Sequence, residues 1–297
     1  MKKFFALSRT THGVLDLATP GFCALLWLGD FPQWQVILLS IFTAFAAYTA
    51  IYALNDLVGI YVDKEKFAGG INAGYSVEAS DMRYPLAQNV LSYRSGVLWF
   101  VGWFIAALIG SYLLNPAIVI ILIAAAILEV IYCLLLKVTY LRTFVSGLVK
   151  SSGPIAAVFV VEPNPSPALL LLVLAWVFFW EIGGQNVPAD WNDTAEDKRV
   201  NAKTIPIHFG YQRAGLIVLI ALGVTVITSL FLPLISPLSL GIPYLLASAA
   251  AGFYFLLMPG YQLSRLQDGR QAAKLFDSAS YYPMAQLAII TIFVLIN

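Results

Sequence analysis

Asp56 and Asp63 close one long apolar run, and Asp190, Asp193 and Asp197 close another. With Gly59 between them, the first pair reads D-x2-G-x3-D, and the second group reads D-x2-D-x3-D. Corresponding positions lie 134 residues apart, and each final aspartate is followed by a lysine, Lys64 and Lys198. At about 100° per residue, helix positions i, i+3 and i+7 fall within roughly 60° of one another, so each group predicts a single stripe of side chains. One such stripe at a membrane boundary reads as a solvated helix end; two matching stripes read as a site. Facing carboxylates repel and need a counter-ion. Hard oxygen donors of this kind suit Mg2+, which keeps several waters and binds substrate phosphates. Asn55 adds a neutral carbonyl oxygen.

The elements that must position these residues are membrane helices. The 297 residues are 60% hydrophobic and 11% charged, and the mean hydropathy is +0.81. Such values lie far outside those of a soluble domain. Apolar runs long enough to cross a hydrocarbon core of about 30 Å predict nine spans. They fall at 12–30, 35–58, 95–114, 116–136, 143–161, 168–188, 212–232, 240–260 and 279–297. An open strand edge in lipid would leave backbone groups unsatisfied, and no ten-residue alternation of a membrane barrel is present, so the expected fold class is all-α. Residues 1–297 read as one membrane domain.

Lys and Arg accumulate on the cytoplasmic side of membrane proteins. Here sixteen of the seventeen basic residues fall in alternate connections, and Lys150 alone lies within a span. That places the N-terminus and both acidic stripes on the cytoplasmic side and the C-terminus outside. MKKFF is followed almost at once by polar SRTTH, so no cleaved signal is expected. The basic residues follow the topology and form no patch, which argues against a nucleic-acid role. Cys23 and Cys133 make no disulfide or metal pattern.

Spans 2 and 6 run in the same direction, so their acidic ends can meet. Lys64, Arg83, Lys137, Arg142, Lys198 and Lys203 share that face and are candidates for holding phosphate oxygens. A charged, metal-binding head opening into a bilayer predicts an isoprenyl diphosphate as ligand, with its tail among the helices.

NDLVGIYVD (55–63) resembles the NDxxDxxxD motif of UbiA-type prenyltransferases. ADWNDTAEDKRVNAKTIPIHFG (189–210) is similar to their second aspartate motif, YCLLLKVTYLRT (132–143) to their Tyr/Lys segment, and RYPLA (83–87) more loosely to their Arg-Pro-Leu stretch. The resemblance covers essentially the whole chain. It implies nine helices around a central lipid-facing cavity, with Mg2+ between the motifs holding a diphosphate. The implied metal ligands are Asn55, Asp56, Asp63, Asp190, Asp193 and Asp197, with Asp63, Asp193 and Asp197 catalytic. Diphosphate contacts are expected from Lys64, Arg83, Tyr132, Lys137, Lys198 and Lys203. The implied reaction transfers a prenyl group to a small hydrophobic or aromatic, quinone-precursor-like acceptor. A terpene cyclase of the same type and, from another class, a secondary transporter are the alternatives. This sequence departs from the motif at Gly59, where an aspartate is usual, and a water-filled gap is expected there.

Asp16, Glu129, Lys150 and Glu181 fall inside predicted spans, where ionisable groups are costly and often functional. Asp16 reads as a snorkelled, capping or site residue, and Lys150 as a structural partner of Glu129 or Glu181. Glu181 and Gln185, four residues apart on the helix leading to Asp190, are expected to face the cavity and bind the acceptor. His12 and His208 read as solvated or hydrogen-bonded loop residues. The glycines of AGGINAG (68–74) suit a mobile loop.

Overall fold

The computed structural model describes residues 1–68 and 83–296. AGGINAG therefore lies, after its first residue, outside the described residues. Fourteen α-helices account for most of the described chain. They are α1 (Lys2–Leu7), α2 (Thr10–Asp16), α3 (Ala18–Leu28), α4 (Trp34–Phe67), α5 (Tyr93–Leu114), α6 (Pro116–Leu134), α7 (Arg142–Val161), α8 (Pro167–Trp180), α9 (Val187–Asn192), α10 (Thr194–Arg199), α11 (Ile205–Phe231), α12 (Gly241–Gly252), α13 (Met258–Leu266) and α14 (Gly269–Ile296). No strand occurs among the described residues.

Eight stretches of the described chain are long and apolar enough to cross a membrane. Seven of them continue the predicted spans 3 to 9, and α4 continues the second. The first predicted span differs: residues 12–30 are divided between α2 and α3, and α3 has 11 residues. At 1.5 Å per residue that is about 16 Å, roughly half a hydrocarbon core. Nine spans is thus an approximate count, eight long helices and one broken segment. Helix α4 also runs to Phe67, nine residues beyond the apolar run, because charged residues leave the membrane without leaving the helix.

Large apolar side chains such as Leu38, Ile109, Ile120 and Leu246 point outward and are more than half exposed, as lipid-facing residues should be. Interior contacts rely on small residues, which let helix backbones approach closely. A Cβ on Gly110 would collide with the Thr43 hydroxyl, and one on Gly147 would sit 2.5 Å from the Phe178 ring. The largest buried cluster joins α3 to the C-terminal helices through Phe22, Trp176, Trp180, Leu222 and Tyr282. A second, smaller cluster of Leu7, Ala53, Leu57, Ile60, Leu86 and Leu91 seals the end of α4 where the first acidic stripe lies.

Candidate functional site

The first motif is one face of an unbroken helix. Asp56 and Asp63 are both buried on α4. Lys66 continues the same face ten positions after Asp56 and is also buried. Gly59, where a water-filled gap is expected, borders the cavity. The Asp63 carboxylate folds back into that space, with Oδ2 2.9 Å from where a Cβ on residue 59 would stand. Among the described residues Asp63 makes no hydrogen bond or ion pair.

The second motif does not form a matching stripe. After α8, residues Glu181–Asn186 form a π-helix, which accommodates one extra residue in the turn. Gly183 and Gly184 allow this turn to press against α11 and α14: added Cβ atoms would lie 2.9 Å from the Ala221 Cβ and 2.8 Å from the Ala279 Cβ. Asp190 follows on α9. Asp193 has φ −90° and ψ 8° and separates α9 from α10, on which Asp197 sits. The break turns the three aspartates toward different partners.

Those partners are cations. Arg142 Nη1 lies 3.2 Å from Asp190 Oδ1, Lys66 Nζ lies 2.6 Å from Asp197, and Arg83 makes a short ion pair with Asp193. Arg9 reaches both Asn55 Oδ1, at 3.2 Å, and Asp56 Oδ1, at 3.4 Å. Two of the pairs join the halves of the site directly, since Lys66 comes from α4 and Arg83 from the segment after it. Arg199 adds a tie, donating to the Lys66 carbonyl at 2.9 Å. Burial raises the Asp197 carboxyl above its usual range against the opposing pull of Lys66. RYPLA positions Arg83 by burying Leu86 against Leu57 and Gly96, with Tyr84 in the left-handed region and its ring beside Phe67.

Several sequence-based candidates stand elsewhere. Lys64, Lys198 and Lys203 are exposed and touch none of the aspartates; Lys64 and Lys198 each follow a motif aspartate by one residue, which on a helix rotates the side chain by about 100°. Lys203 contributes its backbone N–H to Leu136 instead. Lys137 pairs with Glu65 at the surface, 2.6 Å away, while still bordering the cavity. Tyr132 accepts a hydrogen bond from Asn186 at 2.9 Å and carries the Arg142 guanidinium 4.1 Å over its ring. Arg9 and Lys66 were not singled out from the sequence. Lys66 was detectable, being three residues past Asp63 on the same stripe; Arg9 approaches from the N-terminal segment, and no local spacing signals it.

Deeper in the bundle is a belt of intramembrane polar groups. Lys150 pairs with Asp16, at 2.6 Å, and not with Glu129 or Glu181 as expected, because α2 carries Asp16 into the interior opposite α7. Tyr52 donates to the same Asp16 oxygen at 2.5 Å, and His12, also buried, lies 3.7 Å from the other. His12 stacks on Phe276, so it is no loop residue; His208 is exposed and stacks on Tyr140. Glu129 accepts from Asn55 at 2.5 Å. Glu181 accepts from Ser146 at 2.6 Å, and its Oε2 is buried with no hydrogen-bond partner among the described residues. The Gln185 amide donates to the Phe276 carbonyl and to Ser280, both at 3.2 Å. The amide is thus tied to α14, while Gln185, like Glu181, still borders the cavity as expected.

One cavity of about 770 Å³ connects these levels. Its mouth is bordered by Asn55, Asp63, Lys66, Arg83, Asp190 and Asp193, its middle by Lys150 and Glu181, and its far end by apolar residues such as Phe31, Ile37 and Val161. Asp56 and Asp197 lie behind the wall. No three His, Cys, Asp or Glu side chains among the described residues already converge as a metal cage. The carboxylates fit a hard cation all the same. Asp190 Oδ2 is buried without a partner, an arrangement that costs about 1–3 kcal/mol, and Asp63 is equally uncommitted. One available carboxylate from each motif borders the same mouth.

The sequence profile of the UbiA prenyltransferase family matches residues 17–288, and the chain belongs to that family. It is thus a multi-pass membrane prenyltransferase. A 4-hydroxybenzoate octaprenyltransferase from Aliivibrio fischeri (strain MJ11) is 27% identical over 257 residues, covering 84% of this chain and 83% of the relative. Among solved structures, an apo UbiA homologue from Aeropyrum pernix K1 superposes with a TM-score of 0.77 at 16% identity, covering 95% of this chain and 98% of that one. A UbiA homologue from Archaeoglobus fulgidus bound to DMAPP and Mg2+ gives a TM-score of 0.69 at 16% identity, covering 98% of this chain and 99% of that one.

Proposed function

We propose that this protein transfers a prenyl group from an isoprenyl diphosphate to a small aromatic or hydrophobic acceptor, with Mg2+ held at the mouth of the cavity. Residues 1–297 would form one membrane domain, with the N-terminus and the site on the cytoplasmic side. The observation that carries the reading is the meeting of the two aspartate motifs at one cavity that is ionic at its mouth and apolar at its far end. Relatives support it: the solved homologue carries DMAPP and Mg2+, and the curated one is named for 4-hydroxybenzoate.

Asp63 and Asp190 would hold the metal through their uncommitted oxygens. Asp193 would join when Arg83 turns to phosphate, with Asn55, Asp56 and Asp197 supporting from beside and behind. When bound, Mg2+ supplies Lewis-acid stabilisation of the departing diphosphate. The chain's own residues do the rest. Arg83, Lys66 and Arg142 can each exchange a carboxylate for a phosphate oxygen, and the guanidinium forks suit such bidentate contacts. The apolar walls exclude water from the allylic cation. Tyr52, Tyr132 and Trp180 are aromatic faces near enough to hold nearby cations, as their contacts with Lys150 and Arg142 illustrate. The acceptor would lie at the level of Glu181.

The test uses the full-length protein in lipid nanodiscs with geranyl diphosphate, Mg2+ and a panel of phenols. A prenylated phenol and released diphosphate are expected, with both lost on adding EDTA. Unreacted geranyl diphosphate across the panel would refute the reading, and a cyclic hydrocarbon formed without any phenol would identify a cyclase.

A further inference from the structure

We propose that the intramembrane belt around Glu181 selects an uncharged, hydroxyl-bearing acceptor and disfavours a carboxylate-bearing one. This deepens the prenyl-transfer reading and rests on it.

Glu181 is 7% exposed, borders the cavity and has one oxygen engaged by Ser146 at 2.6 Å. Its Oε2 has no partner among the described residues. A buried carboxyl oxygen left unpaired at membrane depth is costly, and a bound group that satisfies it gains correspondingly. A prenyl tail carries nothing that can do so. The acceptor therefore supplies the partner. A hydroxyl both donates and accepts, so it satisfies the carboxyl in either protonation state.

The surroundings decide the charge. Three carboxyls, Asp16, Glu129 and Glu181, border or back this level against a single ammonium, Lys150, which Asp16 engages at 2.6 Å. Arg9 and Arg142 contact Asp56 and Asp190, and Arg9 also stands 5.7 Å over the Tyr52 ring. An anionic acceptor would face Glu129 and Glu181 where the one ammonium is already engaged by Asp16, and where the His12 imidazole, also at the cavity wall, lies 3.7 Å from the same carboxylate. Specificity of this kind comes from repulsion as much as attraction. Tyr52, tied to Asp16 and Lys150, forms the opposite polar edge.

The experiment measures binding to the full-length protein in detergent by titration calorimetry, with Mg2+ and a non-ionisable thiolodiphosphate analogue of geranyl diphosphate present. The probes are methyl 4-hydroxybenzoate, methyl 4-methoxybenzoate and 4-hydroxybenzoate. The neutral phenol should bind about tenfold more tightly than its methyl ether, the size of one good hydrogen bond to a charged group, and more tightly than the anion. In Glu181→Met the phenol-to-ether ratio should fall to about twofold or less, and Glu181→Gln should restore part of it, since an amide also donates and accepts. Equal binding of phenol and ether by the wild type, tighter binding of the anion, or an unchanged ratio in Glu181→Met would overturn the proposal. The wild-type ratios and Glu181→Gln decide the matter even if Glu181→Met does not fold. Failure of the thiolodiphosphate itself to bind with Mg2+ would overturn the broader reading as well, and is visible in the same titrations.

Discussion

The stretch from Asp56 to Asp63 lies on one continuous helix of 34 residues, whereas the stretch from Asp190 to Asp197 crosses from a short helix through a cap residue into another. The spacing is the same in both. On α4 it yields a single face on which Asp56, Gly59, Asp63 and Lys66 follow one another. In the second half, a π-helical turn and the break at Asp193 send Asp190 toward Arg142, Asp193 toward Arg83 and Asp197 toward Lys66. The first half leaves one carboxylate, Asp63, uncommitted in the cavity; the second half supplies Asp190 Oδ2 beside a ring of ion pairs. Equal spacing in sequence thus marks where acidic groups cluster, and local backbone decides which of them faces the ligand.

Substitutions that separate the halves sharpen this contrast. The largest effects are expected at the two uncommitted carboxylates: Asp190→Asn and Asp63→Asn should each lower kcat by about a hundredfold or more, since charge stabilisation of a leaving group contributes several kcal/mol. Asp56→Asn should cost about tenfold or less, because Asp56 lies behind the cavity wall in contact with Arg9. Steady-state rates of diphosphate release would show the order, and equal losses at Asp56 and Asp63 would break the assignment. Next comes the pair Lys66 and Lys64. Lys66→Met should lower activity by about tenfold, a buried partner of Asp197 being lost, whereas Lys64→Met at the surface should change it by about twofold at most.

The smallest effect is the most local. Gly59→Ala places a methyl group where the Asp63 carboxylate now lies, so the carboxylate must turn away. The Mg2+ concentration for half-maximal turnover should rise by about two- to fivefold, roughly the effect of an off-rotamer side chain. An unchanged Mg2+ titration would show that Asp63 relocates freely.

Much of the molecule was legible in its sequence because the bilayer imposes a simple rule. Long apolar runs become helices, and basic residues mark their ends, so the boundaries of α5, α6 and α7 follow the hydropathy to within two residues. Where polarity and helicity part company the reading slipped: α4 continues through NDLVGIYVD because nothing in DKEKF stops a helix, and the segment around Asp16 breaks into α2 and α3. Lys64 is adjacent to the first motif in sequence, whereas helical geometry places Lys66 on its face. The Asp16–Lys150 and Arg9–Asp56 contacts join residues far apart in the chain, and no periodicity reports a pairing set by how helices pack. The π-helical turn at Glu181–Asn186 was likewise hidden, although Gly183 and Gly184 mark the close approach that accompanies it.

The central claim is that one carboxylate from each motif holds the same metal–diphosphate unit. A double-mutant cycle on Asp63→Asn and Asp190→Asn tests it most directly, with Mg2+-dependent binding of the geranyl thiolodiphosphate measured by calorimetry in the wild type, both single variants and the double variant. Shared ligation predicts strong non-additivity, the double variant binding about as weakly as the weaker single one. Penalties that simply add would mean that the two aspartates act at independent sites, and would contradict the account.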